Sequence, residues 1–367
     1  MPISTIATID AGDALAHTQQ LRARLLGESP TRHTYTVGAR GEGHGENVLV
    51  LGGSGYIGRA LVPELARRGY HPVVLTRDPG SATLPEFSGA DVLVGDPVEP
   101  ADVERVFERL PIQAVISLLS SRRPNDPEEC RRVDYTAVTN GIRSAAAHGA
   151  RQFIHVSDYG CYRPELLPQI YKLQVEGELI GGHHGGIDWT IVRPTAYFPY
   201  LSVNFGDVKH GRPYRIFDHG EYALSNPIAR EDLAEFLVNA LFDPEQYGRV
   251  LPVGGPWVAD NVVSIRSAGE MMFEVLGREP QWEVEALTAW DAKTRRLRRM
   301  GKVYPAMRNV AFYLDAAKYW SVVDHIAPPY GTATLRDFFL KLRDREFPTG
   351  SFRERMKAGT AAMPTDV

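Results

Sequence analysis

The chain has 367 residues, 43% hydrophobic and 23% charged, with a net charge of −4. This balance suits a soluble globular protein and gives no electrostatic reason to expect nucleic acid as a partner. No apolar run approaches the ~18–20 residues needed to cross a bilayer, so no transmembrane segment is expected.

The length predicts two domains, or one with a substantial lobe. Two cysteines, Cys130 and Cys161, give no disulfide framework and fit a reducing, cytoplasmic location. Residues 1–46 lack the basic-then-apolar pattern of a secretory signal, and Asp10, Asp13 and Glu28 argue against a transit peptide. This extension reads as a helix over about Ala11 to Leu26 followed by a glycine-rich linker, with no visible chemistry.

From Asn47 the sequence NVLVLGGSGYIGRALVPELARRGYHPVVLTRD reads as strand, glycine turn, helix, strand. Gly52, Gly53, Gly55 and Gly58 permit the tight turn, the close approach of backbone to a pyrophosphate, and helix-on-strand packing. Ser54, Tyr56 and Ile57 complete that turn, and the following helix N-terminus offers N–H groups to phosphates. The second strand ends at Arg77, which points to the 2′-phosphate of NADP rather than to NAD. Asp78 follows at once, so an ordinary surface Arg–Asp pair is the alternative.

Apolar segments recur at Asp91–Asp96, Ala114–Ser121, Gln152–Asp158 and Trp189–Phe198, with helical stretches between them. The expectation is an α/β fold, a Rossmann-type doubly wound parallel sheet over residues 47–200. Residues 201–367 are expected to form a smaller α/β substrate lobe. Ligands bind beyond the carboxyl ends of such strands, which places Gly52, Arg77, Asp96, Ser120 and Ser157 along one edge, with Leu118 and Pro194 as further candidate cofactor-binding residues. The basic run Lys293–Lys302 reads as a solvated helix face, or as a contact for a substrate carboxylate or an anionic membrane surface. His183 and His184 lack partner ligands at metal spacing and read as a loop pair; no metal is expected.

The GGSGYIG turn, Asn140 and Arg193-Pro194 resemble the extended, atypical branch of the short-chain dehydrogenase/reductases. SLLSSR, YKLQVEGEL, IVRPTAYF, NPIAREDLAEF and PPYGTATLRDFF narrow the resemblance to the divinyl chlorophyllide 8-vinyl reductases, over about residues 47 to 345. The resemblance implies an NADPH-dependent reductase of a tetrapyrrole vinyl group, with Lys172 among both the catalytic and the cofactor-binding residues. The tyrosine that usually stands four residues before that lysine is replaced by Pro168, which suits the first turn of a helix. A vinyl group needs hydride on one carbon and a proton on another, so no phenol aimed at a carbonyl is required. Tyr171, Tyr159, Tyr162 and solvent are candidates for the proton, although Tyr171 cannot share the helix face of Lys172, and Ser157 is a further candidate catalytic residue. Tyr162, Tyr197, Phe198 and Tyr200 are candidate aromatic contacts for a flat ring. A reductase of another conjugated polycycle and a non-catalytic NADP-binding sensor are the competing readings.

Overall fold

Buried β-branched runs alternating with amphipathic helices dictate a layered α/β architecture, and the computed structural model adopts one. It describes residues 11–27, 42–183, 185–302 and 305–350. His184, the linker before residue 42 and the tail beyond 350 lie outside the described residues.

The first half carries α1 (Ala11–Gly27), β1 (Asn47–Leu51), α2 (Gly58–Arg67), β2 (His71–Thr76), β3 (Asp91–Val94), α3 (Pro100–Arg109) and β4 (Ile112–Ser117). It continues through α4 (Pro127–Cys130), a π-helical turn (Arg131–Thr136), α5 (Ala137–Ala147), β5 (Gln152–Val156), α6 (Leu167–Ile180) and β6 (Asp188–Pro194). After these come α7 (Phe198–Leu201), α8 (Phe205–Lys209), β7 (Tyr214–Phe217), α9 (Arg230–Asn239) and β8 (Arg249–Val253). The chain then forms α10 (Ile265–Leu276), β9 (Trp282–Glu285), α11 (Leu287–Met300), α12 (Pro305–Val322) and α13 (Leu335–Arg343).

Seven parallel strands form one sheet in the order β3-β2-β1-β4-β5-β6-β8. Strands covered by helices on both faces read as continuous apolar runs, and β1 is buried from Val48 onward for that reason. One core fills the face beneath α2 and α9, with Leu61, Leu65, Phe236 and Leu237. The other fills the opposite face, where α3 presents Val103, Val106 and Phe107 at helical spacing.

The boundary expected at residue 200 is not where this sheet ends. β8 adds the seventh strand along β6, and α9 lies on α2, so residues 230–253 belong physically to the first layer set. The second lobe has its own core of Phe205, Tyr214, Met272 and Phe339, with a short parallel pair β7-β9. α1 docks Leu21 and Leu25 against Leu224, Val262 and Trp257 of that lobe. Among the described residues no helix is long and apolar enough to cross a membrane.

Candidate active site

The glycine turn lies at the switch point between β1 and β4, where the strand order reverses and a doubly wound sheet opens a crevice. Gly52 holds φ +85°, and a Cβ there would stand 3.1 Å from the Leu118 carbonyl carbon. A Cβ on Gly58 would fall 2.1 Å from the Gly53 oxygen, so α2 can begin there only without a side chain. No side chain caps the start of α2, and although Arg59 and Ala60 N–H donate to Gly55 O and Ile57 O, the positive end of the helix dipole still faces the crevice. This cradle fits a dinucleotide pyrophosphate. Gly58→Ala is expected to weaken dinucleotide binding by about 10–100-fold, the cost of ~1–3 kcal/mol for overpacking; a fluorescence titration reads it.

Around this turn the other expected cofactor residues take their places. Arg77 is exposed at the end of β2, whereas the Asp78 carboxylate is turned onto Gly80 N–H at 2.9 Å, capping a short 3₁₀ turn. Asp96 accepts from Val98 N–H at 3.0 Å, Leu118 lies beneath Gly52, and Ser120 faces the open cavity. Pro194 is buried in register with Val253, and Ala196 rather than Pro194 reaches the cavity.

α6 begins at Leu167, and Pro168 occupies its first turn as expected. The Gln169 side chain closes that end by accepting from the N–H groups of Glu165 and Leu166, both at 3.0 Å. Lys172, one turn further, is only 6% exposed. Its ammonium donates to Leu119 O at 3.0 Å and Val156 O at 3.1 Å, the carbonyls at the ends of β4 and β5. An ammonium has three N–H donors, so one remains for a ligand in the cavity that Lys172 lines.

One turn beyond Lys172, Glu176 is fully buried and does a different task. Its carboxylate accepts Arg193 Nε at 3.0 Å, a second guanidinium N–H from Nη2, and the Ser157 hydroxyl at 2.5 Å. Ser157 therefore spends its proton on a buried ion pair and does not line the cavity, contrary to its expected place at the chemistry. Asp134, on the π-helical turn, is buried and accepts Ser121 N–H at 3.3 Å. Burial raises its carboxyl pKa to about 6, against the opposing pull of Lys172.

Beyond the strand ends opens a cavity of about 1530 Å³, walled by the β4 and β5 loops, the second lobe and the α11–α12 hairpin. Small-ligand sites typically span ~300–1,000 Å³, so this one has room for a large substrate beside a nicotinamide. Tyr200 and Trp320 line it with rings stacked at 5.9 Å and only 14° apart. Tyr197 continues that stack behind Tyr200, at 5.9 Å and 24°. Phe198 instead is 3% exposed and packs on Phe338 in the lobe core. Tyr162 lies outside the wall with the Arg193 guanidinium over its ring, and Tyr171 lies outside it near Arg131. Tyr159 is likewise off the wall and donates its hydroxyl to Ile326 O at 2.7 Å.

The basic run proves to be part of the cavity rather than only a solvated face. Lys293 and Arg296 line it together with Arg122, Arg123, Arg212 and Arg215. Arg212 and Arg215 are paired with Asp207 and Glu283, Arg123 with Glu129, and Lys293 with Glu285. Arg122 and Arg296 make no ion pair among the described residues. Trp320 and Arg122 were missed as site residues because only the docking of α12 and the β4 loop brings them together. No cluster of potential metal ligands occurs among the described residues, and Cys161 is a buried thiol raised to about 12 by burial, not a reactive one.

Comparison with known proteins agrees with this geometry. A family model described as NAD(P)H-binding matches residues 52–244. The solved UDP-glucose 4-epimerase of Thermus thermophilus, crystallised with NAD, superposes with a TM-score of 0.55 at 21% identity, over 65% of this chain and 85% of that one. It shares the fold. The chloroplastic divinyl chlorophyllide a 8-vinyl-reductase of Oryza sativa subsp. indica is 34% identical over 80% of this chain and 77% of its own length. The enzyme of the same name from Arabidopsis thaliana is 30% identical over 81% and 76%. With a nicotinamide-type glycine turn, the buried lysine and likeness along most of both lengths, the chain is an oxidoreductase that belongs to the divinyl chlorophyllide a 8-vinyl-reductase family.

Proposed function

We propose that this protein uses NADPH to reduce the C8 vinyl group of 3,8-divinyl chlorophyllide, or of the corresponding protochlorophyllide, to ethyl. The observation that carries this reading is the cavity that joins Lys172 to the flat Tyr200–Trp320 wall. A planar macrocycle stacks well on parallel aromatic faces. The unpaired guanidinium groups of Arg122 and Arg296 suit a propionate carboxylate, which guanidinium binds through paired N–H donors. A bound reduced nicotinamide would supply hydride, with the glycine turn and Lys172 holding the dinucleotide. Preference for the phosphorylated cofactor rests on Arg77, exposed at the strand end, and on Asp78, whose carboxylate is engaged by Gly80.

The test mixes purified protein, NADPH and 3,8-divinyl chlorophyllide a, following pigment absorbance and product mass. The expected result is a blue shift with a gain of two hydrogens, and a weaker response to NADH. Arg77→Ala should cut the preference for NADPH by about 10–100-fold, the worth of charge-assisted hydrogen bonds of ~1.5–3 kcal/mol. Tight NADPH binding without pigment turnover would sink the substrate assignment.

A further inference from the structure

A vinyl reduction needs a proton as well as a hydride, and the tyrosines nearest Lys172 in sequence stand off the cavity. Three carboxylates line it among the described residues: Asp158, Asp207 and Glu283. Asp207 is bound to Arg212 at 3.3 Å and Glu283 to Arg215 at 2.7 Å, so both carboxylates are engaged in ion pairs. Asp158 makes no ion pair among the described residues. It sits two residues past the end of β5, on the same wall as Lys172 and Gln169. Its Oδ1 accepts Gly160 N–H at 2.6 Å and is approached by Gln169 Nε2 at 3.5 Å. Neither bond uses Oδ2.

We propose that Asp158, through Oδ2, is the proton donor to the substrate. This rests on the vinyl-reductase reading above and adds to it a residue and a step. Hydride to one vinyl carbon is the chemistry a reduced nicotinamide supplies when bound, and it leaves that ring oxidised. As that C–H bond forms, the vinyl π pair takes the proton of the Asp158 carboxyl at the other carbon. Two C–H bonds are made, the C=C π bond is lost, and Asp158 is left a carboxylate that recovers a proton from solvent.

The surroundings shift this carboxyl toward its protonated form. Burial raises its pKa; the Gly160 N–H, Lys172 and the Gln169 amide oppose that, and Glu176 reinforces it. The other titratable groups that face it are Cys161, Tyr197, Tyr200 and Tyr319, whose own pKa values are raised, so they are uncharged near neutrality. The protonated acid is the active form. The rate should therefore be flat at low pH and fall as pH rises through the Asp158 pKa.

The test uses Asp158→Asn, which keeps an acceptor for Gly160 N–H and so preserves the 3₁₀ turn, but has no acidic proton. Single-turnover reduction of 3,8-divinyl chlorophyllide a should slow by about 10²-fold or more, as expected for loss of a general acid. The alkaline limb of the pH profile should vanish, while dinucleotide and pigment affinities hold. An independent reading comes from infrared difference spectra of the ligand-free protein. A protonated-carboxyl C=O band should titrate in the wild type and be missing from Asp158→Asn. A variant that keeps the wild-type rate and pH profile, or spectra identical between the two proteins, overturns the assignment while leaving the vinyl-reductase reading intact. A wild type that turns over no divinyl pigment overturns both.

Discussion

Replacing Lys172 with Ala should lower single-turnover pigment reduction by about 10²–10³-fold, the usual loss when a preorganised donor at developing charge is removed. The expectation follows from how the lysine is held. Two of its donors are fixed on Leu119 O and Val156 O, so its position is set by the sheet rather than by a mobile side chain. Folding has already paid for ordering it, and the third donor meets its ligand without further reorganisation. The same substitution leaves two carbonyls without their partner, at a cost of ~1–3 kcal/mol each if they stay dry. Lys172→Met strands the same two carbonyls but keeps the apolar stem, so a rate loss shared by both variants is due to the missing ammonium and its donors and not to lost packing. Stopped-flow absorbance with saturating NADPH measures the rate, and thermal unfolding measures the fold. If Lys172→Met reduced the pigment at the wild-type rate, the lysine would be a structural strut and nothing more.

Glu176→Ala should instead act on stability. Glu176 and Arg193 are both nearly inaccessible, and removing one member of such a pair strands the other charge in a dry site. The expected loss is about 3–5 kcal/mol, a fall in Tm on the order of 10 °C at ~2–4 °C per kcal/mol. Ser157 would lose its acceptor in the same stroke. Glu176→Gln should be milder, since an amide oxygen still accepts from Ser157 or Arg193. Glu176→Ala combined with Arg193→Met should regain part of the loss, because the stranded charge is gone. Calorimetry on the four proteins, wild type included, decides the matter. A Glu176→Gln variant with wild-type Tm but no activity would move Glu176 from the framework to the chemistry.

Much of this was legible before the structure. The glycine turn, the six strands from Asn47 to Pro194 and the lysine on a helix begun by Pro168 are local signals, each set by period, turn chemistry or capping within a few residues. What escaped is non-local. Nothing near Arg249–Val253 announces that it pairs with β6 rather than with the second lobe, since a parallel partner is chosen by the crossover and not by the strand. The site divides the same way. Ser120 follows from topology and Lys172 from the family resemblance, but Phe198 and Tyr200 are two residues apart on one short helix and only the docked lobe decides which meets the cavity. Asp158 stands in sequence only as the end of the Gln152–Asp158 segment, whereas in the structure it caps the turn after β5. Its second oxygen acquires meaning only when α11 and α12 close the far wall.

The seventh strand also governs how this chain can be made. β6 cannot gain its outer neighbour until residue 253 has left the ribosome, and everything from α7 to α9 must first be threaded into one crossover. Until then β6 offers an open edge of unpaired N–H and C=O groups, and the face of α2 that α9 will cover lies bare. The nascent cofactor half is thus the sticky intermediate of its own synthesis, and its solubility depends on a segment that a gene cut at residue 200 would discard. Such a chain matures as one unit, in which the part that would recognise pigment is also the part that completes the dinucleotide layer.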